Sequence, residues 1–441
     1  MFLDDRSGRK KKLEMKIGGT SMYHKDVLDN GVAIVSEEVP GVHSVAVGFW
    51  VRTGSRLEEP EEAGISHLIE HLLFKGTAKR NAKQIAEAIE EVGGQLNAFT
   101  SKEYTCYYVR VLAEYLPLAV DVLSDMLFNS LFREEDLAQE KKVVAEEINM
   151  YEDTPDDIIH DYFSQTIWDG HPLGRPIIGT MESLSRINRE RLLSFYKRHY
   201  SPSNLVVALA GKFQYREAVD LIGSALASLP VGKVENQIAP PQSRPAIKCF
   251  YRDLEQVQIC MGVPGVSLYD ENVYRLQIIN NILGGGASSR LFQRVREERA
   301  LVYAIYSYYL SFLDSGLFTI YAGTNPANCQ EVLDLSWGEI KAITDDGISE
   351  KELNRAKTQV KGSLLLAQES VLHRMHRQGK SELVYHRFIT TEEILEKINA
   401  LTETDVQSFA REFFDPEQIT ITVLGPLTSD KIAHPFAVSQ T

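Results

Sequence analysis

The sequence predicts an α+β protein of two homologous halves, each a mostly antiparallel sheet packed against helices. Three observations carry that expectation. Segments with apolar residues at alternate positions, which suit strands, are interleaved with segments whose apolar residues recur at helical spacing. A proline-rich stretch, residues 229–245 (LPVGKVENQIAPPQSRP), interrupts the pattern and reads as an inter-domain linker. Beyond it the same order of elements begins again.

In chain order, residues 1–21 mix acids with a basic run and lack the apolar core of a secretory signal. They are expected to be a leader or an added extension, with the native start at Met22. Residues 27–35 predict a hairpin with Asn30-Gly31 as its tight turn, and SVAVGFWVRTG predicts a strand. Helices are expected over 64–74, stopped near Gly76, and over 81–92, where Ile85, Ile89 and Val92 share a face. QLNAFTSKEYTCYYVRVL is strand-rich, and 112–129 reads as an apolar helix broken at Pro117. A long helix over 134–151 is followed by helices near 156–167 and 189–199 and by the buried strand NLVVALAGKF. After the linker come a strand (VQICMGVPG), a helix (ENVYRLQIINNILGG), two strands (YAIYSYYLSF, LFTIYAGT) and further long helices. The halves are therefore expected at 22–228 and 246–441.

Composition narrows the function. A chain of 441 residues exceeds one ordinary core, and 44% hydrophobic with 24% charged residues suits a soluble globular protein. No apolar run approaches the roughly 20 residues of a membrane helix, so no membrane partner is expected. The net charge of −14 argues against a nucleic-acid partner, because phosphates favour a basic face. Cys106, Cys249, Cys260 and Cys329 are scattered and form no C-x-x-C pair, which favours reduced thiols and a cytoplasmic location.

The strongest chemical feature is HLIEH, His67 to His71. Residues four apart on a helix differ by about 40° in direction, so both imidazoles leave one face, with Glu70 beside them. Two neutral imidazoles at this spacing suit Zn²⁺, and the carboxylate can act as general base to a zinc-activated water, as in H-x-x-E-H metallopeptidases. The bland alternative is a solvated helix face. A catalytic zinc needs a third protein ligand, and the 134–151 helix offers Glu140, Glu146 and Glu147. At about 100° per residue, Glu146 faces solvent, whereas Glu140 and Glu147 lie on the flank of the buried Val144 side. Spacing leaves those two open.

HLIEH followed by Glu147 within EKKVVAEEINMYED, with HLLFKGT, GGQLNAFTSKEYT and HPLGRPIIGT, resembles the pitrilysin/insulysin/mitochondrial processing peptidase family, in its shorter two-domain branch. The resemblance runs through both halves. It implies a zinc metalloendopeptidase of peptides or unfolded polypeptides, with His67, His71 and Glu147 on the metal, Glu140 as supporting acid and Glu70 as base. It further implies substrate contacts from Asn97 and Ala98 on an edge strand and from Arg296 and Tyr303, the tyrosine also stabilising the oxyanion. Without it, Tyr303 would read as the start of a strand and Arg296 as surface charge. The second half sets Gln277, Asn280, Asn281, Ala356 and Ser363 against the first half's metal group, so one zinc per chain is expected. Since one chain carries both sets, the resemblance implies a homodimer closing around a chamber, a heterodimer with a zinc-less partner being the alternative. The rival function is a non-catalytic scaffold subunit of the same fold, against which the intact H-x-x-E-H stands. Glu58, Glu59, Glu61 and Glu62 read as a solvated loop, with attraction of basic peptides as the sharper alternative. The glycines of LGGGASSR suggest a loop whose backbone passes close to a neighbour.

Overall fold

In the computed structural model, which describes residues 13–17, 21–230 and 238–433, the strands form two sheets, each in its own compact unit. The first sheet holds β1 (Leu13–Ile17), β2 (Ser21–Val27), β3 (Ala33–Glu38), β4 (Ser44–Val51), β5 (Gln95–Thr100), β6 (Thr105–Leu112) and β7 (Leu205–Gly211). Their order is β1-β2-β3-β7-β4-β6-β5; only β3 and β7 run parallel, and β5 is an edge. The second sheet holds β8 (Ile247–Tyr251), β9 (Val257–Pro264), β10 (Val302–Ser311), β11 (Gly316–Thr324) and β12 (Thr420–Gly425) in the order β10-β11-β9-β12-β8. Its β8 and β12 are parallel. The α+β class expected from the sequence is the class observed.

The helices are α1 (Ile65–Leu73), α2 (Ala82–Glu90), α3 (Leu116–Asn129), α4 (Glu134–Glu152), α5 (Pro155–Ile167), α6 (Met181–Arg186), α7 (Arg189–His199) and α8 (Tyr215–Leu226). The remainder are α9 (Val273–Gly284), α10 (Cys329–Asp345), α11 (Glu350–Ala367), α12 (Val371–Tyr385), α13 (Thr391–Ala400) and α14 (Glu403–Phe413). One face of the first sheet packs on α1, α2, α3 and α8 around Phe49, Leu68, Leu123 and Ile222. The second sheet packs on α9, α10, α11 and α14 around Ile259, Ile279, Leu333 and Phe409.

The compact units differ from the contiguous halves expected. Residues 149–175 belong with the second sheet, and residues 365–392 belong with the first. The reason lies in the strands. β7 and β11 are buried at every position, so each sheet has two apolar faces, and both must be covered. On the first sheet α12 supplies the second cover, placing Met375, Leu383 and Val371 over Trp50, Ala46 and Cys106. On the second sheet α5 does the same with Ile159 and Phe163. Periodicity identifies both helices as amphipathic but says nothing about which sheet they meet.

Local differences have local causes. Leu13–Ile17, inside the stretch expected to be a leader, pairs antiparallel with β2. The first hairpin turns over residues 28–32 instead of two residues: the Gly31 N–H donates to Leu28 O and the Leu28 N–H to Val32 O, each at 2.9 Å, and the buried Asn30 amide donates to Leu226 O at 2.8 Å. Pro117 lies in the first turn of α3, where its missing N–H costs nothing, so it begins the helix instead of breaking it. Residues 231–237 of the expected linker lie outside the described residues.

His199 at the end of α7 is 5% exposed, and Arg198 Nε donates to its Nε2 at 3.0 Å. Burial, with Arg198 adding to it, pushes its pKa down to about 4. Burial acts on His376 of α12 in the same direction, also to about 4. Unfolded histidine titrates near 6.5, so between those values the unfolded chain binds more protons and acid favours unfolding. The melting temperature is expected to fall as pH drops from about 6.5 toward 4, and His199→Gln to show a shallower fall; identical slopes would refute the assignment to His199.

Candidate metal centre

The helix that carries HLIEH is held at its start by a side chain from the acidic run. Gly64 precedes α1 at φ 91°, a left-handed conformation that suits glycine. Glu58 then accepts hydrogen bonds from the backbone N–H groups of Gly64 and Ser66 at 2.8 and 2.9 Å. The run is therefore not one solvated loop. Glu59 and Glu61 are exposed, but Glu58 and Glu62 are buried, with Arg198 donating to Glu62. Glu58→Ala is expected to lower stability by about 1–2 kcal/mol, the scale of a lost N-terminal cap, measured by urea unfolding.

From α1 the two imidazoles leave one face, their ring centres 4.6 Å apart. Glu147 of α4 approaches them: its Oε2 stands 3.9 Å from His67 Nε2 and 3.5 Å from His71 Nε2. Among the described residues, His67, His71 and Glu147 form the group of three His, Cys, Asp or Glu with ligand atoms within 4.8 Å of one another. A tetrahedral zinc site with bonds of about 2 Å separates its ligands by roughly 3.3 Å, so the spacing fits. The chemistry fits as well. Burial first, and His71 second, push the pKa of His67 down to about 4, keeping it neutral as a metal ligand must be.

Glu140, the alternative that spacing left open, lies behind the histidine. It is 1% exposed, with Oε2 3.2 Å from His71 Nδ1 and Oε1 2.6 Å from Lys75 Nζ. A carboxylate on Nδ1 holds that nitrogen protonated and turns Nε2 toward Glu147. Glu146 is exposed. Glu70 sits beside the cluster, half-buried, and accepts a short hydrogen bond from Thr100 Oγ1 at the end of β5. Burial pushes its carboxyl above the ordinary range; Thr100 and His71 oppose the shift, and Glu147 adds to it. Lys75 and Thr100 were not singled out from the sequence, and Glu58 was expected there only as part of a solvated acidic loop. Lys75 does lie four residues after His71, a helical spacing that could have marked it.

β5 presents Asn97 exposed and Ala98 half-buried on the edge of the first sheet, and Asn97 Oδ1 accepts from the Ala98 N–H at 2.8 Å. In the second unit, Arg296 and Tyr303 are brought together. Arg296 lies in a π-helical turn, Phe292–Glu297, and its guanidinium lies 5.4 Å from the centre of the Tyr303 ring and 4.7 Å from that of Phe292. Tyr303 sits at an irregularity in β10 and is 80% exposed. Asn280, expected from the sequence to stand in the place of Glu70, accepts from Ser307 Oγ at 2.8 Å, and a Cβ on the neighbouring Gly284 would collide with the Ser307 backbone.

Two sheets packed on helices, with two histidines of one helix facing a glutamate of another, make a candidate metal site in the first unit. Residues 33–181 match the insulinase domain of peptidase family M16 and residues 186–360 match the peptidase M16 inactive domain. The chain belongs to peptidase family M16, in its short two-domain form. It is 42% identical to a Bacillus subtilis protein named as an uncharacterized zinc protease, over 92% of this chain and 98% of that one. A Streptomyces coelicolor zinc protease is 40% identical over 93% of this chain and 91% of its own length. Among solved structures, a peptidase M16 inactive domain from Pseudomonas fluorescens superposes with a TM-score of 0.86 at 21% identity, covering 92% of this chain and 98% of that chain. A Helicobacter pylori protease gives 0.85 at 22%, covering 92% and 99%. No helix among the described residues is long and apolar enough to cross a membrane.

Proposed function

We propose that the chain is a zinc metalloendopeptidase of peptides or unfolded polypeptides, with His67, His71 and Glu147 as metal ligands and Glu70 as general base. The observation that carries this reading is the convergence of those three ligand atoms within 4.8 Å, next to the half-buried Glu70 carboxylate. Zinc bound there supplies Lewis acidity, activating water near neutral pH and polarising the scissile carbonyl. Glu70, steadied by Thr100, takes a proton from the attacking water and returns it to the leaving amine. Glu140 and Lys75 hold His71 in the orientation that presents Nε2. The free edge of β5, at Asn97 and Ala98, receives the substrate as an added strand.

Arg296 and Tyr303 bind substrate in this reading, the Tyr303 phenol donating to the oxygen on which charge develops. Tyr303→Phe is expected to lower kcat about 10²-fold, the scale of one lost oxyanion donor, with zinc content unchanged; an undiminished kcat would remove Tyr303 from the mechanism. The working assembly in this reading is a cytoplasmic homodimer enclosing a chamber, which sedimentation of the zinc-loaded protein tests. The function itself is tested by metal analysis paired with cleavage of a quenched unfolded peptide. One zinc per chain and chelator-sensitive cleavage are expected; a zinc-loaded chain that cleaves nothing would overturn the reading.

A further inference from the structure

Along β5 the backbone N–H and C=O groups alternate between the neighbouring strand β6 and the open edge of the sheet. The register fixes which residue faces which way. At the hairpin tip the Ser101 N–H donates to Tyr104 O at 2.8 Å, so Ser101 and Tyr104 are a hydrogen-bonded pair. Counting back through Thr100↔Thr105, Phe99↔Cys106 and Ala98↔Tyr107, the Ala98 N–H points outward, to the edge where an added strand would pair. That position is already taken, because Asn97 Oδ1 accepts from the Ala98 N–H at 2.8 Å. Asn97 is exposed, yet its side chain is not loose. Tyr108 stands directly across from it on β6, with both side chains on one face of the sheet. Burial first, and Cys106 second, push the Tyr108 phenol's pKa up, and a hydrogen bond from the Asn97 side chain opposes them. The amide therefore has an anchor at its nitrogen and the strand's own N–H at its oxygen.

We infer that the Asn97 side chain is a latch on this edge: it caps the Ala98 N–H in the peptide-free protein, and an incoming strand must displace it before pairing there. The inference rests on the reading of β5 as the strand that receives substrate. Both acceptors, the Asn97 amide oxygen and a backbone carbonyl of the added strand, compete for one donor. The latch has two consequences. An uncapped edge is a template for any extended segment, so a cap made by the strand's own side chain blunts unproductive pairing without a proline, a bulge or a charge. It also sets a threshold, since the apparent affinity is the intrinsic one scaled by the fraction of molecules with the edge unlatched. By the same alternation Leu96 and Thr100 face outward on either side of Ala98. An extended segment long enough to reach both offsets the lost cap, and a short or bent one does not. Thr100 bonds Glu70, so the latched position lies two residues from the support of the reacting carboxylate.

The test compares zinc-loaded wild type with two zinc-loaded variants. Asn97→Ala removes the latch from an exposed position, and Tyr108→Phe keeps the ring but releases the amide from its anchor. On a quenched unfolded peptide, Asn97→Ala is expected to lower KM by about 2–10-fold, the scale of one hydrogen bond that no longer has to be broken. Tyr108→Phe should lower it by less. A side chain whose role is to hold substrate predicts the opposite sign, a higher KM in Asn97→Ala. A second measurement needs no turnover: amide hydrogen exchange at Ala98, in protein without peptide, should be faster in Asn97→Ala than in the wild type. An unchanged or raised KM in Asn97→Ala, or exchange at Ala98 no faster than in the wild type, overturns the latch while leaving the peptidase reading intact. Failure of the zinc-loaded wild type to cleave any peptide overturns the peptidase reading itself.

Discussion

Glu70→Gln is expected to retain one zinc per chain and to lose peptide cleavage by about 10²–10⁴-fold, the range a positioned general base contributes. The substitution keeps the shape of the side chain and its place between the two histidines. Glutamine still offers an oxygen to Thr100 Oγ1, so the packing of α1 against the end of β5 survives. What disappears is the basic carboxylate that takes a proton. Binding of substrate should be little affected, so the loss should fall in kcat and not in KM. Elemental analysis and steady-state kinetics on the same preparation separate the two properties. Full turnover by zinc-loaded Glu70→Gln would remove the base from the mechanism.

Glu147→Gln is expected to lose both metal and activity, because two imidazoles without the carboxylate leave the cation one strong ligand short. The informative point is why Glu140 should not replace it. That carboxylate lies on the same helix but is engaged on both sides, by His71 Nδ1 at 3.2 Å and Lys75 Nζ at 2.6 Å, and it is 1% exposed. Moving it to the metal side would strand the ammonium and free His71 to turn. Zinc content after dialysis against metal-free buffer should therefore fall to background in Glu147→Gln. Stoichiometric zinc in that variant would mean that Glu147 is not a ligand. Glu140→Gln should give a graded result, with zinc affinity lowered about 10–100-fold, as supporting residues of metal ligands usually show.

The contrast between these two glutamates shows how far the sequence reaches. Helix spacing put both on the buried flank of α4 and excluded Glu146, which is exposed. It could not rank them, because both lie within reach of a neighbouring helix and periodicity says nothing about where that neighbour stands. Only the approach of α1 decides that Glu147 meets Nε2 of both histidines while Glu140 meets Nδ1 of one. The acidic run before α1 gives the same lesson. Four glutamates within five positions look alike in the sequence, yet Glu58 and Glu62 turn inward and Glu59 and Glu61 do not.

What the sequence determined by itself was local: strands by alternation, helices by spacing, and the pairing of His67 with His71 on one helical face next to Glu70. These follow from backbone geometry that every chain shares. Tertiary structure alone decided the partners. It sent α5 and α12 each to the sheet that needed a second cover, set Glu147 against Nε2 of both histidines and Glu140 against Nδ1 of one, and gave Glu58 to the start of α1. Those outcomes depend on which apolar surfaces must leave water together, a sum over residues distant in the chain that no single stretch of it records.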